Sequence, residues 1–208
     1  MVEFFTNPNI IFYITAYLVG SIPFGLILAR QFAGVNIKDA GSKSIGATNV
    51  LRVVKETDPV LAKKLGIATV LLDAIKGTVV ILVAMMMGMP TETLWGIAVI
   101  AILGHCYSIY LGFEGGKGVA TGLGVFLVLI PIPTLIGAVV WGVLAKTLKI
   151  SSVSSLLGLA AVVVSATYIN NGLDVGSNAP MYIIMFIIYY KHLPNIIRLF
   201  NGQEKRVA

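Results

Sequence analysis

The feature of this sequence that most limits its fold is a series of apolar runs of near membrane length. The first two cover residues 10–29 and 67–89, and only 12% of the 208 residues are charged. A soluble domain carries roughly 25% charged residues. Helices and closed barrels are the structures that satisfy their backbone hydrogen bonds in lipid, and continuous rather than alternating apolar runs argue against a barrel. The sequence therefore predicts an all-α polytopic membrane bundle, forming a single domain over residues 1–208.

The positive charges predict how this bundle is oriented. The net charge is +6, and Lys and Arg collect in the cytoplasmic loops of membrane proteins, so nucleic acid is not an expected partner. The apolar run 119–148 is interrupted by two prolines and forms either one kinked helix or two short crossings. Two crossings return Lys146 and Lys149 to the side of the basic segment 30–65, whereas one kinked helix leaves them outside. We therefore predict seven transmembrane helices, two of them short, with the N-terminus outside and the C-terminus cytoplasmic.

Two further residues bear on the architecture. Trp95 opens the third apolar run and is expected to anchor it at the membrane interface. Cys106 is the single cysteine, so no internal disulfide can form and no metal-ligand cluster is expected.

A glycine-rich loop lies at residues 112–121 and carries Lys117. Gly115, Gly116 and Gly118 allow tight turns, exposed backbone N–H groups and close approach to a ligand. A helix starting at about Val119 would direct its positive dipole end to the same place. The loop therefore predicts a phosphate cradle, with a flexible basic turn as the alternative. A nucleotide site is a poor interpretation, because Gly118 follows the lysine where a Walker A loop needs Ser or Thr.

The first cytoplasmic segment offers a second set of polar groups. A helical turn from about Ala47 would place Thr48, Asn49 and Arg52 near one face, beside the hydroxyl of Ser42. Hydroxyls, an amide and a guanidinium suit a phosphate or a polyol. A solvated loop with a helix cap explains the same residues equally well.

Three ionisable residues lie within the apolar runs. Asp73 and Lys76 are three residues apart and can pair on one helical face, most simply near the cytoplasmic interface with Lys76 reaching towards water. A buried pair facing the bundle interior would instead shape a site. His105 is either a packing group or part of that site.

The polar tail follows the last apolar run. Pro194 is expected to start a new helix in its first turn, which places His192 and Asn195 at the mouth of the bundle. The three polar segments 42–52, 115–118 and 192–198 all fall on the cytoplasmic side of the predicted topology. This convergence favours one shared site.

Taken together, these motifs resemble the bacterial membrane acyltransferases that make lysophosphatidic acid from glycerol 3-phosphate and acyl phosphate. The matching pieces span nearly the whole chain: Gly20-Ser21-Ile22-Pro23-Phe24-Gly25, Gly41-Ser42, Gly46-Ala47-Thr48-Asn49 with Arg52, Asp73 with Lys76-Gly77, Gly104-His105, Phe113 with Gly115-Gly116-Lys117-Gly118-Val119-Ala120-Thr121, and His192 with Asn195-Ile196, Arg198-Leu199, Gly202 and Glu204. The sequence departs from the usual family pattern at Lys43-Ser44 (usually Gly-Asn), Ser108 (usually proline), Glu114 (usually lysine) and Lys191 (usually arginine).

The resemblance implies an enzyme of phospholipid synthesis in the bacterial inner membrane, with its active site facing the cytoplasm and no cofactor or metal. It implies catalytic roles for Ser42, Arg52, Lys117, His192 and Asn195. It implies substrate binding by Thr48, Asn49, Gly115, Gly116, Gly118, Thr121 and Arg198. It implies supporting roles for Asp73, Lys76, His105 and Glu204.

An acyl phosphate carries an already activated carbonyl, so positioning and electrostatic stabilisation can supply much of the rate. Lys117 and the loop N–H groups would stabilise the departing phosphate, while Arg52 with Ser42 would hold the phosphate of the acceptor. The proton of the attacking hydroxyl goes to His192 or to the phosphate of the donor. Two other functional classes of membrane protein are alternatives: a phosphate or organophosphate transporter, and a non-enzymatic protein that binds anionic lipid headgroups. A transporter is disfavoured because the outer halves of the helices carry almost no polar groups.

Overall fold

The computed structural model describes residues 6–169, 173–204 and 206, and every regular element in these ranges is a helix. The helices are α1 (Pro8–Ser21), α2 (Phe24–Ala33), α3 (Ala47–Val54), α4 (Pro59–Met86), α5 (Thr91–Cys106), a 3₁₀ turn (Ile109–Leu111), α6 (Val119–Leu129), α7 (Pro131–Leu148), α8 (Ser151–Ile169), α9 (Ala179–Lys191) and α10 (Leu193–Phe200). The predicted all-α class is confirmed.

Within residues 6–169, 173–204 and 206, four segments are long and apolar enough to cross a membrane: α1 with α2, α4, α7 and α8. The pair α9 and α10, which is bent by 55°, makes a fifth if it is counted as one span. The two shorter apolar helices are α5, with 16 residues, and α6, with 11. Apolar segments therefore lie where the sequence places its crossings, while the number of seven and the orientation of the termini stay predictions.

The apolar run 119–148 consists of two helices. Helix α6 ends when the N–H of Ile130 binds the carbonyl of Phe126, and Ile130 adopts an extended φ of −141°. Pro131 then opens α7 in its first turn, where proline lacks only an N–H that would have no helical partner. One of the two expected short helices is not short, because α7 has 18 residues.

Helix α4 begins eight residues before the expected start at Ile67. The side chain of Asp58 accepts hydrogen bonds from the N–H groups of Val60 and Leu61, both at 2.9 Å. Pro59 occupies the first turn. An aspartate cap followed by proline is a strong helix start, so the end of the basic segment 30–65 is already helical from Pro59.

Helices α1 and α5 contact each other through their backbones. A β-carbon at Gly20 would clash with the carbonyl oxygen of Ala101, and one at Gly104 would clash with that of Tyr17. Small residues permit such close crossings between membrane helices. Trp95 is 3% exposed and its ring centroid lies 6.2 Å from that of Phe126. The expected role of Trp95 as an interfacial anchor is therefore wrong, because it packs inside the bundle.

Two apolar clusters hold the segments that carry the polar residues. The larger one joins α4, α5, α6, α8 and α9, and includes Ile81, Ala101 and Phe126. The smaller one packs α3 and the preceding segment against α2 and the start of α4, with Ile45 and Val50 at its centre. Helix α3 is thus fixed beside the end of the bundle where the glycine loop and the tail also lie.

Candidate active site

A cavity of about 510 Å³ opens where α3, the glycine loop, the start of α8 and the tail meet. This volume falls within the range of small-molecule sites. The structure brings together most of the predicted site residues here: Ser42, Thr48, Asn49, Arg52, Asp73, His105, Lys117, Gly118, His192, Asn195, Arg198 and Glu204 line the cavity.

Asn49 organises the loop before α3 rather than presenting free polar atoms to the cavity. It is 1% exposed. Its amide oxygen accepts the N–H of Ser42 at 2.7 Å. Its amide nitrogen donates to the carbonyls of Ile37 at 2.8 Å, Ala40 at 3.2 Å and Ser44 at 2.9 Å. These four bonds engage both ends of the amide, so the geometry gives Asn49 a role in shaping the loop, and its expected contact with substrate stays a prediction.

The same loop explains one departure from the family pattern. Lys43 has a φ of 58°, in the left-handed region. Glycine, the residue usual in the family, adopts this conformation without steric cost, whereas other residues lose roughly 1–2 kcal/mol. Lys43 lines the cavity mouth together with Ser42 and Ser44. The chain therefore accepts local strain and gains one cation at the mouth.

The glycine loop divides into a packed half and an open half. A β-carbon at Gly115 would clash with the carbonyl oxygen of His105, and one at Gly116 would clash with the His105 ring. The N–H of Gly116 donates to the His105 carbonyl at 3.0 Å. Neither glycine lines the cavity, and both let the loop lie against the end of α5. Contact of Gly115 and Gly116 with a ligand stays a prediction.

The open half is formed by the start of α6. Gly118 precedes the helix with a φ of 81°, and α6 begins at Val119 as predicted. Lys117, Gly118, Val119 and Ala120 line the cavity. The first N–H groups of a helix have no partner within it and carry the positive end of its dipole. Residues 117–120 are therefore the part of the loop whose geometry suits an anion.

Lys117 is the charge at the centre of this arrangement. Burial lowers its pKa from 10.5 to about 8; Glu204 opposes that shift, whereas Arg198 and Arg52 add to it. In the part of the chain that the structure describes, the side chains of Lys117 and Arg52 have no hydrogen-bond or ion-pair partner. Two unneutralised cations at one cavity favour an anionic ligand.

Glu114 is turned away from this anion-binding half. Its carboxylate lies 2.7 Å from the ammonium of Lys38, and its side chain is 72% exposed. The hydrogen bond and charge of Lys38 hold the pKa of Glu114 below its usual value. The carboxylate thus has its own basic partner and does not oppose a phosphate at residues 117–120.

Ser108 fits the place where proline is usual. Its φ of −67° is one that proline also adopts. Its hydroxyl donates to the carbonyl of Ser21 at 2.6 Å. The serine therefore keeps the turn after α5 and adds a bond to the end of α1.

The tail presents two hydrogen-bond acceptors to the cavity. Nδ1 of His192 lies 2.8 Å from the carbonyl of Ile188. A carbonyl only accepts, so Nδ1 carries the proton and Nε2 of the neutral ring keeps a free lone pair. Nδ2 of Asn195 donates to Glu204 at 2.6 Å, and its Oδ1 has no hydrogen-bond partner among the described residues. Pro194 lies in the first turn of α10, as predicted.

Asp73 and Lys76 of α4 form a buried cluster with His105 of α5. Lys76 donates to Asp73 at 2.7 Å and to the carbonyl of Ile22 at 2.8 Å. The side chains of Lys76 and Asp73 are 1% and 4% exposed, so the simpler expectation of a water-facing pair is wrong. Nδ1 of His105 lies 3.7 Å from Asp73, beyond hydrogen-bond distance. Asp73 and His105 line the cavity whereas Lys76 does not.

Thr121 also lies outside the cavity. It is fully buried, and its methyl group faces the α-carbon of Gly77 on α4. The geometry gives Thr121 a packing role between α6 and α4, and its expected contact with substrate stays a prediction.

The sequence analysis did not identify a group of serines at the start of α8. Ser151, Ser152 and Ser155 line the cavity, and the hydroxyls of Ser151 and Thr48 are 3.2 Å apart. Four serines in five residues, 151–155, at the start of an apolar run were the available signal. They bring the polar first turns of a second helix to the cavity.

The inner part of the cavity is apolar. Its walls come from α6, α7 and α8 and include Leu123, Phe126, Gly137, Trp141, Leu159 and Val162. A cationic mouth joined to an apolar groove suits a ligand with a charged head and a hydrocarbon tail.

Comparisons with known proteins agree with this chemistry. The family model described as glycerol-3-phosphate acyltransferase matches residues 10–202. Proteins named glycerol-3-phosphate acyltransferase from Aliarcobacter butzleri and Nitratiruptor sp. are 73% and 63% identical to the chain, and each alignment covers 99% of both proteins. The crystal structure of PlsY (YgiH), an integral membrane glycerol 3-phosphate acyltransferase in its glycerol 3-phosphate form, is 32% identical, with a TM-score of 0.81 and 96% of each chain covered. The chain therefore belongs to the glycerol-3-phosphate acyltransferase family of integral membrane proteins.

Proposed function

We propose that this protein transfers a fatty acyl group from acyl phosphate to glycerol 3-phosphate, giving 1-acyl-glycerol 3-phosphate and inorganic phosphate. The observation that carries the proposal is the pair of unneutralised cations, Arg52 and Lys117, at the mouth of a cavity with an apolar inner half. Relatives support the acceptor and the product, since PlsY structures are described in a glycerol 3-phosphate form and a lysophosphatidic acid form.

The two phosphates bind to different parts of the mouth. The phosphate of the donor lies at Lys117 and the first N–H groups of α6, residues 118–120, where the helix dipole adds to the lysine charge. The phosphate of glycerol 3-phosphate lies at Arg52, with the hydroxyls of Ser42 and the α8 serines as further donors. The acyl chain occupies the apolar groove between α6, α7 and α8.

The glycerol hydroxyls meet the acceptors of the tail. His192 and Asn195 are three positions apart in the sequence, and both lie at the cavity, where Nε2 of His192 and Oδ1 of Asn195 each offer a lone pair to a donor. A hydroxyl donates to such a group, whereas a phosphate oxygen does not. Thr48, bonded to Ser151, holds α3 beside α8 so that the anion site and the acceptor pair remain adjacent.

In the transfer step, the hydroxyl oxygen of glycerol 3-phosphate forms a bond to the acyl carbonyl carbon. The bond between that carbon and the phosphate oxygen breaks, and the electron pair leaves with inorganic phosphate. Lys117 and the α6 N–H groups stabilise the charge that develops on this phosphate. The proton of the attacking hydroxyl passes to the departing phosphate, with Nε2 of His192 as the alternative acceptor. All atoms come from the two substrates, so the step balances without a further co-reactant.

We further propose that the chain is one domain with seven crossings in the bacterial inner membrane. Its C-terminus and site face the cytoplasm, and its N-terminus lies outside. The support comes from Lys and Arg, which collect on the side of the cavity mouth under this topology. Cytoplasmic access also matches the water-soluble acceptor.

The test is turnover by purified protein in lipid nanodiscs supplied with acyl phosphate and glycerol 3-phosphate, without ATP or coenzyme A. Inorganic phosphate and lysophosphatidic acid are expected in a one-to-one ratio. A Lys117→Met variant that elutes and unfolds like the wild type serves as the inactive control. Phosphate release without lysophosphatidic acid, or no release by folded protein, would refute the proposal. Uptake of labelled phosphate into proteoliposomes would instead favour a transporter.

A further inference from the structure

We propose that Glu204 is a positioning residue for the transfer reaction: it orients the amide of Asn195 so that the oxygen, and not the nitrogen, faces the substrate hydroxyl. The proposal rests on the function proposed above, because it explains how Oδ1 of Asn195 comes to face the hydroxyl of glycerol 3-phosphate. It concerns a carboxylate that touches none of the reacting atoms and acts through Asn195.

The chain reverses after α10 and returns Glu204 to the cavity. The N–H of Gly202 binds the carbonyl of Leu199 at 3.1 Å, and that of Gln203 binds the carbonyl of Arg198 at 2.7 Å. Gly202 has a φ of 67°, the left-handed conformation that closes a helix. The side chain of Glu204 is 9% exposed as a result.

Three donors converge on this carboxylate. Oε1 accepts from Nδ2 of Asn195 at 2.6 Å and from the hydroxyl of Ser152 at 2.7 Å. Oε2 accepts from Nε of Arg198 at 2.9 Å. The carboxylate therefore joins the start of α8 to two turns of α10.

The chemistry of these partners determines the direction of the Asn195 amide. An ionised carboxylate only accepts hydrogen bonds. Turning the amide over would place its oxygen against Glu204 and leave two acceptors facing each other. With Nδ2 held, Oδ1 has no partner in residues 6–169, 173–204 and 206, and Asn195 lines the cavity beside His192. A neutral or protonated residue at 204 would permit both amide directions.

Glu204 is ionised under ordinary conditions. Burial raises its pKa, but the hydrogen bonds from Asn195, Ser152 and Arg198 outweigh this and hold the pKa below its usual value. The same negative charge raises the pKa of Lys117. Loss of the Glu204 charge should therefore change the direction of the Asn195 amide. It should also narrow the pH range in which Lys117 stays protonated.

The test is a double-mutant cycle of Glu204→Gln and Asn195→Asp. Either single change is expected to raise the KM for glycerol 3-phosphate on the order of tenfold, because the first lets the amide turn and the second opposes two carboxylates. In the double variant the amide introduced at position 204 donates to the carboxylate introduced at position 195. The second oxygen of that carboxylate then faces the cavity as an acceptor. Its KM should return to within about threefold of the wild type.

Further readouts separate positioning from structure. The KM for acyl phosphate should change less than that for glycerol 3-phosphate, and Glu204→Gln should move the alkaline fall of kcat/KM to lower pH. Glu56→Gln, which removes an exposed carboxylate with no side-chain partner in the described ranges, is the matched control and should leave both KM values unchanged.

Calorimetric binding of glycerol 3-phosphate by all four proteins distinguishes the possible failures. A wild type that binds and turns over, with a double variant no better than the worse single variant, overturns the role of Glu204 alone. A folded wild type that neither binds nor turns over overturns this role together with the proposed function. Tight binding by the double variant and weak binding by both single variants supports the role directly.

Discussion

The amide oxygen of Asn49 accepts the backbone N–H of Ser42 at 2.7 Å, which ties a buried residue of α3 to the edge of the cavity. The amide nitrogen of Asn49 donates to three carbonyls of the same loop. One side chain thus sets the path of residues 37–44 and the position of the Ser42 hydroxyl. This role requires both a donor and an acceptor.

Asn49→Asp should therefore be far more damaging than its size suggests. The carboxylate has no donor for the three carbonyls and is buried without a cation, which should cost about 3 kcal/mol or more. The thermal unfolding midpoint should fall by roughly 6 °C or more. Asn7→Asp is the control, because Asn7 caps α1 by accepting the N–H of Asn9 and aspartate caps equally well. Equal melting of the two variants would contradict the loop-organising role.

Lys117 predicts an alkaline limit to activity. Its pKa is lowered to about 8, so the ammonium is protonated below that pH and loses its proton above it. The kcat/KM should be level below pH 8 and fall about tenfold per pH unit beyond it, since this ratio reports the free enzyme. In kcat the fall should come at higher pH, because bound phosphate favours the charged lysine.

Substitutions identify the group responsible for this limit. Lys117→Arg keeps the charge at all working pH values, so the alkaline fall should disappear. Lys117→Met should lower kcat by about 10²–10³-fold at pH 7, as for loss of one preorganised electrostatic contact. If kcat/KM of the folded Lys117→Arg variant still fell at alkaline pH, a residue other than Lys117 would be responsible for the fall.

The sequence was sufficient for much of the scaffold. Apolar runs with proline and glycine breaks identify the helices, and the starts of α6 at Val119 and α10 at Leu193 follow from local signals that act within one turn. The meeting of three polar segments followed from topology and charge. These features depend on composition and neighbouring residues, which the sequence displays directly.

The remaining details depend on which side of an element faces its neighbours. Gly116 and Lys117 are adjacent in sequence, yet Gly116 packs on His105 and Lys117 lines the cavity. Trp95 lies within a helix that is apolar all round, so periodicity cannot indicate which face is buried. Ser151 lies beside Thr48, 103 positions earlier in the chain. Nothing in the sequence near Ser151 displays such a contact.

The ion pair of Lys38 and Glu114 should contribute little to stability or activity. Its atoms are 2.7 Å apart, but the Glu114 side chain is 72% exposed, and solvent and salt screen an exposed ion pair so that it contributes little. Glu114→Gln should shift the unfolding midpoint by less than about 4 °C and leave kcat/KM within about twofold at physiological salt. A large loss of activity in this variant would place Glu114 within the site after all.

The groove between α6, α7 and α8 predicts how acyl-chain preference can be changed. Leu123 lines the cavity, whereas Leu127, one turn further along α6, does not. Leu123→Trp should fill part of the groove. Excluding two methylene groups would cost about 1.6 kcal/mol, a roughly fifteenfold lower kcat/KM for long-chain acyl phosphates, with short-chain donors little affected.

Leu127→Trp adds the same bulk on the same helix and should preserve the wild-type preference. Kinetics with acyl phosphates of increasing chain length give the ratio of kcat/KM for long-chain to short-chain donors. If Leu123→Trp left this ratio unchanged, the acyl chain would not bind in this groove.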